Sequence, residues 1–164
     1  MGEVYSPSNQ SIINNPMDLH QGTTLVHNGQ LVDGTGSSPI PHASVLVENG
    51  KIQYSGPTVD CPPAEDDVMR IDAGGGTIMP GLVEAHFHAT YFNVAELTDL
   101  DIKYPVEYVS LLASANCKLA VECGYTSARS GGSLFNCDYW LREAIENEFI
   151  LGPRLAVSGR EICS

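Results

Sequence analysis

From Gly81 onward the sequence alternates between β-prone and helical patterns, and this order restricts the fold more than any other feature. The predicted elements are, in order, strand 82–85, helix 105–122, strand 125–128, helix 138–148 and strand 154–158. We expect Val109, Leu112 and Leu119 on the buried side of the first helix and Trp140 on that of the second. Strands that alternate with helices form right-handed βαβ units around a parallel sheet. This part of the chain is therefore predicted to be α/β.

A different pattern comes before the alternating region. Asn28 and Asn49 are each followed by glycine and flanked by β-prone runs, an arrangement typical of a two-residue β-hairpin. One more strand is expected at 68–71. These features predict a small antiparallel sheet over residues 23–80, preceded by a polar N-terminal tail at 1–22.

The composition argues against several classes of function. Eight basic and twenty acidic residues give a formal net charge of −12, which speaks against binding to nucleic acid or to an anionic membrane surface. No apolar run approaches the roughly 18 residues that span a bilayer. The N-terminus lacks the pattern of a signal peptide, and the cysteines show no CxxC spacing, so we expect a reducing, cytoplasmic setting. The five cysteines are Cys61, Cys117, Cys123, Cys137 and Cys163.

The residues with the clearest chemical potential are His86 and His88, at the end of the first predicted parallel strand. Residues two apart on a strand point to the same side, and ligands bind at the carboxyl ends of parallel strands in α/β folds. Two neutral imidazoles on one side can chelate a divalent ion such as zinc. A His-x-His pair by itself also fits surface histidines or hydrogen-bonded core histidines.

The surrounding residues extend this pattern. The string IMPGLVEAHFH at 78–88 resembles the PGL-(I/V)-D-x-H-x-H signature at the first barrel strand of the amidohydrolase superfamily. LVDGTG at 31–36 resembles the LIDGTG phrase of that family's β-sandwich, and GYTSAR at 124–129 resembles GVTTVRD at the second strand. Further segments resemble LRxAI, GPRL and SGR, at 141–145, 152–155 and 158–160. The resemblance is strongest to the imidazolonepropionase-like and Xaa-Pro dipeptidase-like branch.

This resemblance implies a partial (β/α)8 TIM-like barrel, with its first three strands and two helices in 81–164, preceded by part of a β-sandwich in 23–80. The fold would be incomplete, and the chain an N-terminal fragment of a longer parent. Members of the family hydrolyse carbon–nitrogen bonds of small molecules, including amides, cyclic amides and dipeptides, and some form homo-oligomers.

The resemblance also implies a metal centre. One or two divalent ions, usually zinc, activate a water molecule in this family, and His86 and His88 match two ligands of the more buried ion. The remaining ligands and the general base are expected after Ser164, so the catalytic residues themselves are unknown here. Glu84 stands where the family usually has aspartate, and Ser130 where it has the aspartate of VRD.

Two further residues are candidates for substrate binding. Arg129 follows the second strand and has the chemistry to bind a substrate carboxylate; a structural salt bridge is the alternative. Tyr91, with Phe92, either lines the pocket or packs the loop. His20, His27 and His42 are expected to be solvated or at strand ends.

Besides the assembly of several copies of this chain into one barrel, two functions remain open from the sequence. In the first, the chain belongs to a metal-dependent hydrolase that is active only as the full-length parent. In the second, it is a catalytically inactive product that acts as a binding or interaction protein.

Overall fold

The computed structural model of this chain describes residues 22–64, 68–91, 95–96 and 103–160. They form two compact units, one ending at Pro80 and the other beginning at Gly81. The expected tail, apart from Gly22, lies outside the described residues, and so do His20, Phe92 and Cys163.

The first unit is a five-stranded sheet. Its strands are β1 (Thr23–Leu31), β2 (Ile40–Glu48), β3 (Lys51–Pro57), β4 (Met69–Asp72) and β5 (Thr77–Ile78). Their order in the sheet is β3-β2-β1-β4, with β5 also paired to β1. β1, β2 and β3 are antiparallel neighbours, whereas β4 and β5 run parallel to β1. The predicted antiparallel sheet is therefore wrong in part: the sheet is mixed, because the chain returns after β3 to pair with β1 in the same direction.

Only one of the two predicted hairpins is present. Asn49 and Gly50 have φ values of 49° and 72° and connect β2 to β3, as a turn with two left-handed residues requires. At the other site, β1 continues through Asn28 and Gly29, and the register with β2 shifts there instead. Asn28 has a φ of 59° but Gly29 has no positive φ, so the feature is an irregularity within one strand.

The second unit confirms the predicted alternation of strands and helices. Its elements are β6 (Leu82–Phe87), α1 (Val106–Glu122), β7 (Tyr125–Ser130), α2 (Cys137–Glu146) and β8 (Arg154–Ala156). The three strands are parallel neighbours in chain order. Neither helix is long and apolar enough to cross a membrane, a statement that covers the described residues only.

The helices pack against the sheet through small side chains. Ala113 and Cys117 of α1 are fully buried and share a core cluster with Ala128 of β7, Leu141 of α2 and Leu155 of β8. Two expectations about helix faces are wrong. Leu119 is 45% and Trp140 67% exposed, because α1 packs along Val109, Ala113 and Cys117 and α2 packs along Cys137, Leu141 and Ile145.

Candidate metal centre

His86 and His88 come together at the carboxyl end of β6. Their Nε2 atoms are 3.0 Å apart, and the ring centroids are 4.8 Å apart at an interplanar angle of 71°. His86 is exposed, and His88 is half-buried. The two nitrogens that can bind a metal therefore converge, as the His-x-His spacing predicted.

The ring of His88 is held on two sides. Its Nδ1 lies 3.0 Å from the carbonyl oxygen of Gly132. Because a carbonyl only accepts hydrogen bonds, Nδ1 must carry the proton, and in neutral His88 the lone pair of Nε2 faces the Nε2 of His86. Tyr91 stacks on the same ring, with centroids 4.3 Å apart and planes within 4° of parallel. Both contacts restrict rotation of the imidazole.

The loop after β7 passes close to both histidines at Gly131. A Cβ atom at this position would lie 2.8 Å from Nε2 of His88 and 3.0 Å from Cε1 of His86. The Gly131 N–H donates to the carbonyl of Phe87 at 2.9 Å, which fixes the loop against β6. Only glycine leaves room for the two rings in these positions.

Glu84 supports the backbone of this region. Its Oε1 accepts a hydrogen bond from the N–H of His86 at 3.0 Å. The strand register shifts here: Glu84 pairs with Ala128 and Phe87 with Ser130, so three steps along β6 match two along β7. The carboxylate thus stabilises an irregular stretch that carries the first histidine.

Arg129 lies on β7 between the buried residues Ala128 and Ser130, and its side chain is exposed. By strand alternation it projects from the face of the sheet opposite to these two residues, the face that Gly131 also uses. It forms no ion pair or hydrogen bond with any other residue that the structure describes. The salt-bridge alternative therefore has no support within the described part of the chain.

A buried carboxylate that sequence reasoning missed lies behind the loop. Asp138, in the first turn of α2, is 1% exposed. Burial by itself raises the pKa of Asp138, but hydrogen bonds from the Gly159 N–H, the Ser133 hydroxyl and the Ser158 N–H outweigh it and hold the pKa below its usual value. An aspartate in a first helical turn was the available signal, but it usually indicates only a helix start.

The histidine pair suits zinc as two ligands of a larger set. Zn–N bonds of about 2.0–2.1 Å in tetrahedral geometry place two nitrogens about 3.3 Å apart, close to the 3.0 Å between these Nε2 atoms. Among the described residues, no group of three His, Cys, Asp or Glu side chains is placed to hold an ion. The described part of the chain therefore offers a pair of ligands.

No family model matches the chain. It is 34% identical over 71 residues to an imidazolonepropionase from Paracoccus denitrificans, covering 41% of this chain and 18% of that protein. It is also 39% identical over 66 residues to a 5-methylthioadenosine/S-adenosylhomocysteine deaminase from Symbiobacterium thermophilum, which covers 40% of this chain and 15% of that protein. The chain thus spans less than a fifth of the length of these curated relatives.

Solved structures show the same relationship. A Xaa-Pro dipeptidase with methionine in its active site superposes with a TM-score of 0.73 at 26% identity, covering 85% of this chain and 34% of the other. An amidohydrolase superposes with a TM-score of 0.68 at 29% identity, covering 84% and 32%. The chain is therefore similar in sequence to imidazolonepropionases, and in fold to an amidohydrolase and a Xaa-Pro dipeptidase.

Proposed function

We propose that this chain provides His86 and His88 as two ligands of a divalent metal centre, zinc in the first instance, in a hydrolase that cleaves carbon–nitrogen bonds of small molecules. The observation that supports this most directly is the convergence of the two Nε2 atoms, with the Nδ1 of His88 occupied by a carbonyl. A ligating imidazole usually donates its other N–H in this way.

The residues of this chain would prepare the site before any metal binds. The Gly132 carbonyl selects the tautomer of His88, Tyr91 restrains its ring, and Glu84 holds the backbone of His86. A bound divalent ion would lower the pKa of a water molecule and so supply the nucleophile. Further ligands and the general base are proposed to come from outside the residues present here.

Arg129 and Tyr91 are proposed to contribute to substrate binding. An exposed guanidinium on the strand face that also carries Gly131 can form a bidentate contact with a substrate carboxylate. Tyr91 stacks one face of its ring on His88, which places it next to the candidate ligands. Arg129→Ala is expected to raise KM for a carboxylate-bearing substrate more than it lowers kcat, whereas Arg142→Ala, on the surface of α2, serves as the matched control.

The architecture proposed for the whole protein is a β-sandwich with a (β/α)8 barrel. The unit ending at Pro80 would contribute to the sandwich, and β6, β7 and β8 would be the first three barrel strands. A cytoplasmic setting is proposed because four cysteines, Cys61, Cys117, Cys123 and Cys137, are free thiols.

The test is the metal content of the full-length protein that carries this sequence. We expect one to two equivalents of zinc per chain, and loss of both metal and hydrolase activity in the His86→Ala/His88→Ala double variant. His27→Ala removes a histidine from β1 in the other unit and should change neither. A natively folded protein that binds no divalent metal under any loading condition would overturn the proposal.

A further inference from the structure

Asp138 has the most complete hydrogen bonding of any side chain near the candidate metal centre. Its Oδ1 accepts from the Tyr139 N–H and from the Ser133 hydroxyl, both at 2.9 Å. Its Oδ2 accepts from the N–H groups of Ser158 and Gly159, at 3.0 and 2.9 Å. One buried carboxylate therefore joins the start of α2 to the segment that follows β8.

Ser133 closes this network on the side of the loop. It is 2% exposed; its Oγ accepts the Asp138 N–H at 3.0 Å, and its own N–H donates to the Gly159 carbonyl at 2.9 Å. Every polar group of Ser133 that faces the network has a partner. Its backbone position is consequently determined by Asp138 and Gly159 together.

Ser133 directly follows the residue that orients His88. The carbonyl of Gly132 accepts from His88 Nδ1, and the N–H of Gly132 donates to the Ser130 hydroxyl at 3.2 Å. The carbonyl is thus bracketed by a hydrogen bond on its N-terminal side and by the Ser133–Asp138 network on its C-terminal side. Movement of Ser133 would move the carbonyl and release the His88 ring.

The segment between Ser133 and Asp138 does not hold this shape by itself. Phe135 and Asn136 both have left-handed backbones, with φ values of 54° and 58°. A non-glycine residue in this region is strained and persists only when its surroundings determine it. The four hydrogen bonds to Asp138 supply that constraint at the end of the segment.

We propose that Asp138 is a positioning residue for the candidate metal centre, acting through Ser133 and the Gly132 carbonyl to hold His88 as the Nδ1–H tautomer, with the lone pair of Nε2 on the side of His86. The role of this tautomer in metal binding rests on the proposed function, but the tautomer itself can be measured in the metal-free protein. The two ideas can therefore fail separately.

The experiment compares Asp138→Asn with the wild type in the full-length protein. An amide has one acceptor oxygen, whereas a carboxylate has two. In Asp138→Asn the NH₂ group therefore faces N–H donors whose hydrogen bonds one carboxylate oxygen accepts in the wild type. With ¹⁵N-labelled histidine and no metal, NMR should show His88 as Nδ1–H in the wild type and shifted toward Nε2–H in the variant. Zinc affinity should fall about 10- to 100-fold, the usual effect of losing support for a ligand.

Asp72→Asn is the matched control. Asp72 also accepts a backbone N–H and an amide, from Gly74 and Asn28 at 2.8 and 2.7 Å, but it lies in the other unit. The same loss of charge there should leave both the tautomer and the zinc affinity unchanged. Equal effects of the two variants would overturn the positioning role.

A second variant covers the case in which Asp138→Asn does not fold. Ser133→Ala removes one hydroxyl and leaves the carboxylate with its three backbone donors, and it should shift the His88 tautomer in the same direction. A folded variant at either position that keeps His88 as Nδ1–H and binds zinc as the wild type does would refute the inference and leave the proposed function standing. A wild type that shows the Nδ1–H tautomer and binds no zinc would instead refute the proposed function.

Discussion

Replacing Gly131 by alanine adds one methyl group next to both candidate ligands. The backbone of Gly131 is not left-handed, so alanine fits its conformation and the effect must come from contact. The new Cβ would lie 2.8 Å from Nε2 of His88 and 3.0 Å from Cε1 of His86, whereas ordinary contacts begin at 3.4 Å. Raising these distances to 3.4 Å requires shifts of 0.6 Å for His88 and 0.4 Å for His86.

These shifts are large on the scale of metal coordination. Ligand distances in a working site lie within about 0.2 Å of their ideal values, so rings displaced this far cannot both bind as before. Either the rings stay in place and the overpacked loop lowers the free energy of unfolding by about 1–3 kcal/mol, or the rings move and the zinc affinity falls. Since the rings can rotate and the loop is tied to Phe87, we expect the site to yield, with zinc affinity reduced about 10- to 100-fold.

Competition with a chelator of known affinity measures the zinc affinity of the full-length Gly131→Ala protein, and thermal unfolding of the metal-free form measures its stability. Gly56→Ala is the control, because its Cβ would meet the flexible end of Tyr54, 2.9 Å from the hydroxyl, in the other unit. Undiminished zinc affinity in a folded Gly131→Ala protein would refute the reasoning that the loop and the ligands share this space.

Three other predictions follow from single residues. Folding lowers the pKa of Asp138, so its ionised carboxylate stabilises the native state above the unfolded pKa of about 3.9, and this stabilisation is lost as the pH falls through the folded value. Denaturant titrations at pH 6 and below pH 4 should show that the difference in free energy of unfolding between the wild type and Asp138→Asn becomes smaller in acid. A difference that stays constant would contradict this prediction. Burial raises the pKa of Cys117 to about 11, so mass spectrometry after iodoacetamide treatment of the native protein should find exposed Cys123 alkylated well before Cys117; equal rates would show that α1 is not packed as described. Gly50→Ala forces alanine to a φ of 72° and should lower the free energy of unfolding by about 1 kcal/mol, measured by denaturant titration; an unchanged value would mean that the β2–β3 turn relaxes without cost.

Sequence patterns predicted the parts of the fold that rest on local order. The alternation after Gly81 was confirmed because its elements show local patterns, and all except α2 have a glycine or proline directly at a boundary: Gly81 before β6, Pro105 before α1, Gly124 before β7 and Pro153 before β8. The two Asn-Gly pairs show where local signals stop. At Asn28 the same dipeptide lies inside β1, because β5 pairs alongside and Ile78 packs against Gly29. Pairing with a distant strand overrode the turn propensity.

The exposure of Trp140 has a similar origin. Its apolar character suggested a core position, but α2 packs through Cys137, Leu141 and Ile145, a stripe with four-residue spacing that leaves Trp140 out. Which side of a short helix is buried depends on the sheet beneath it, and the spacing of apolar residues in ten positions leaves more than one answer.

The candidate site was predictable to the extent that it uses side chains with distinctive spacing. His86 and His88 could be named because the string around them resembles an amidohydrolase signature, whereas the His-x-His spacing alone also fits surface or core histidines. The Gly132 carbonyl that orients His88 is a backbone group, and because every residue has one, the sequence does not indicate its role. Asp138 is 50 residues away from His88 in the chain, and its relation to the ring passes through Ser133 and two hydrogen bonds.

The structure separates two tasks within the site. β6 brings the two candidate ligands together, since their spacing on one strand is sufficient for that. The loop after β7 constrains both rings, since the Gly132 carbonyl lies against Nδ1 of His88 and Gly131 limits the space for both imidazoles. Substitutions in this loop should therefore alter metal affinity while both histidines remain in the sequence. A relative that keeps His-x-His but carries a larger residue at the position of Gly131 needs a different loop path to hold the same metal.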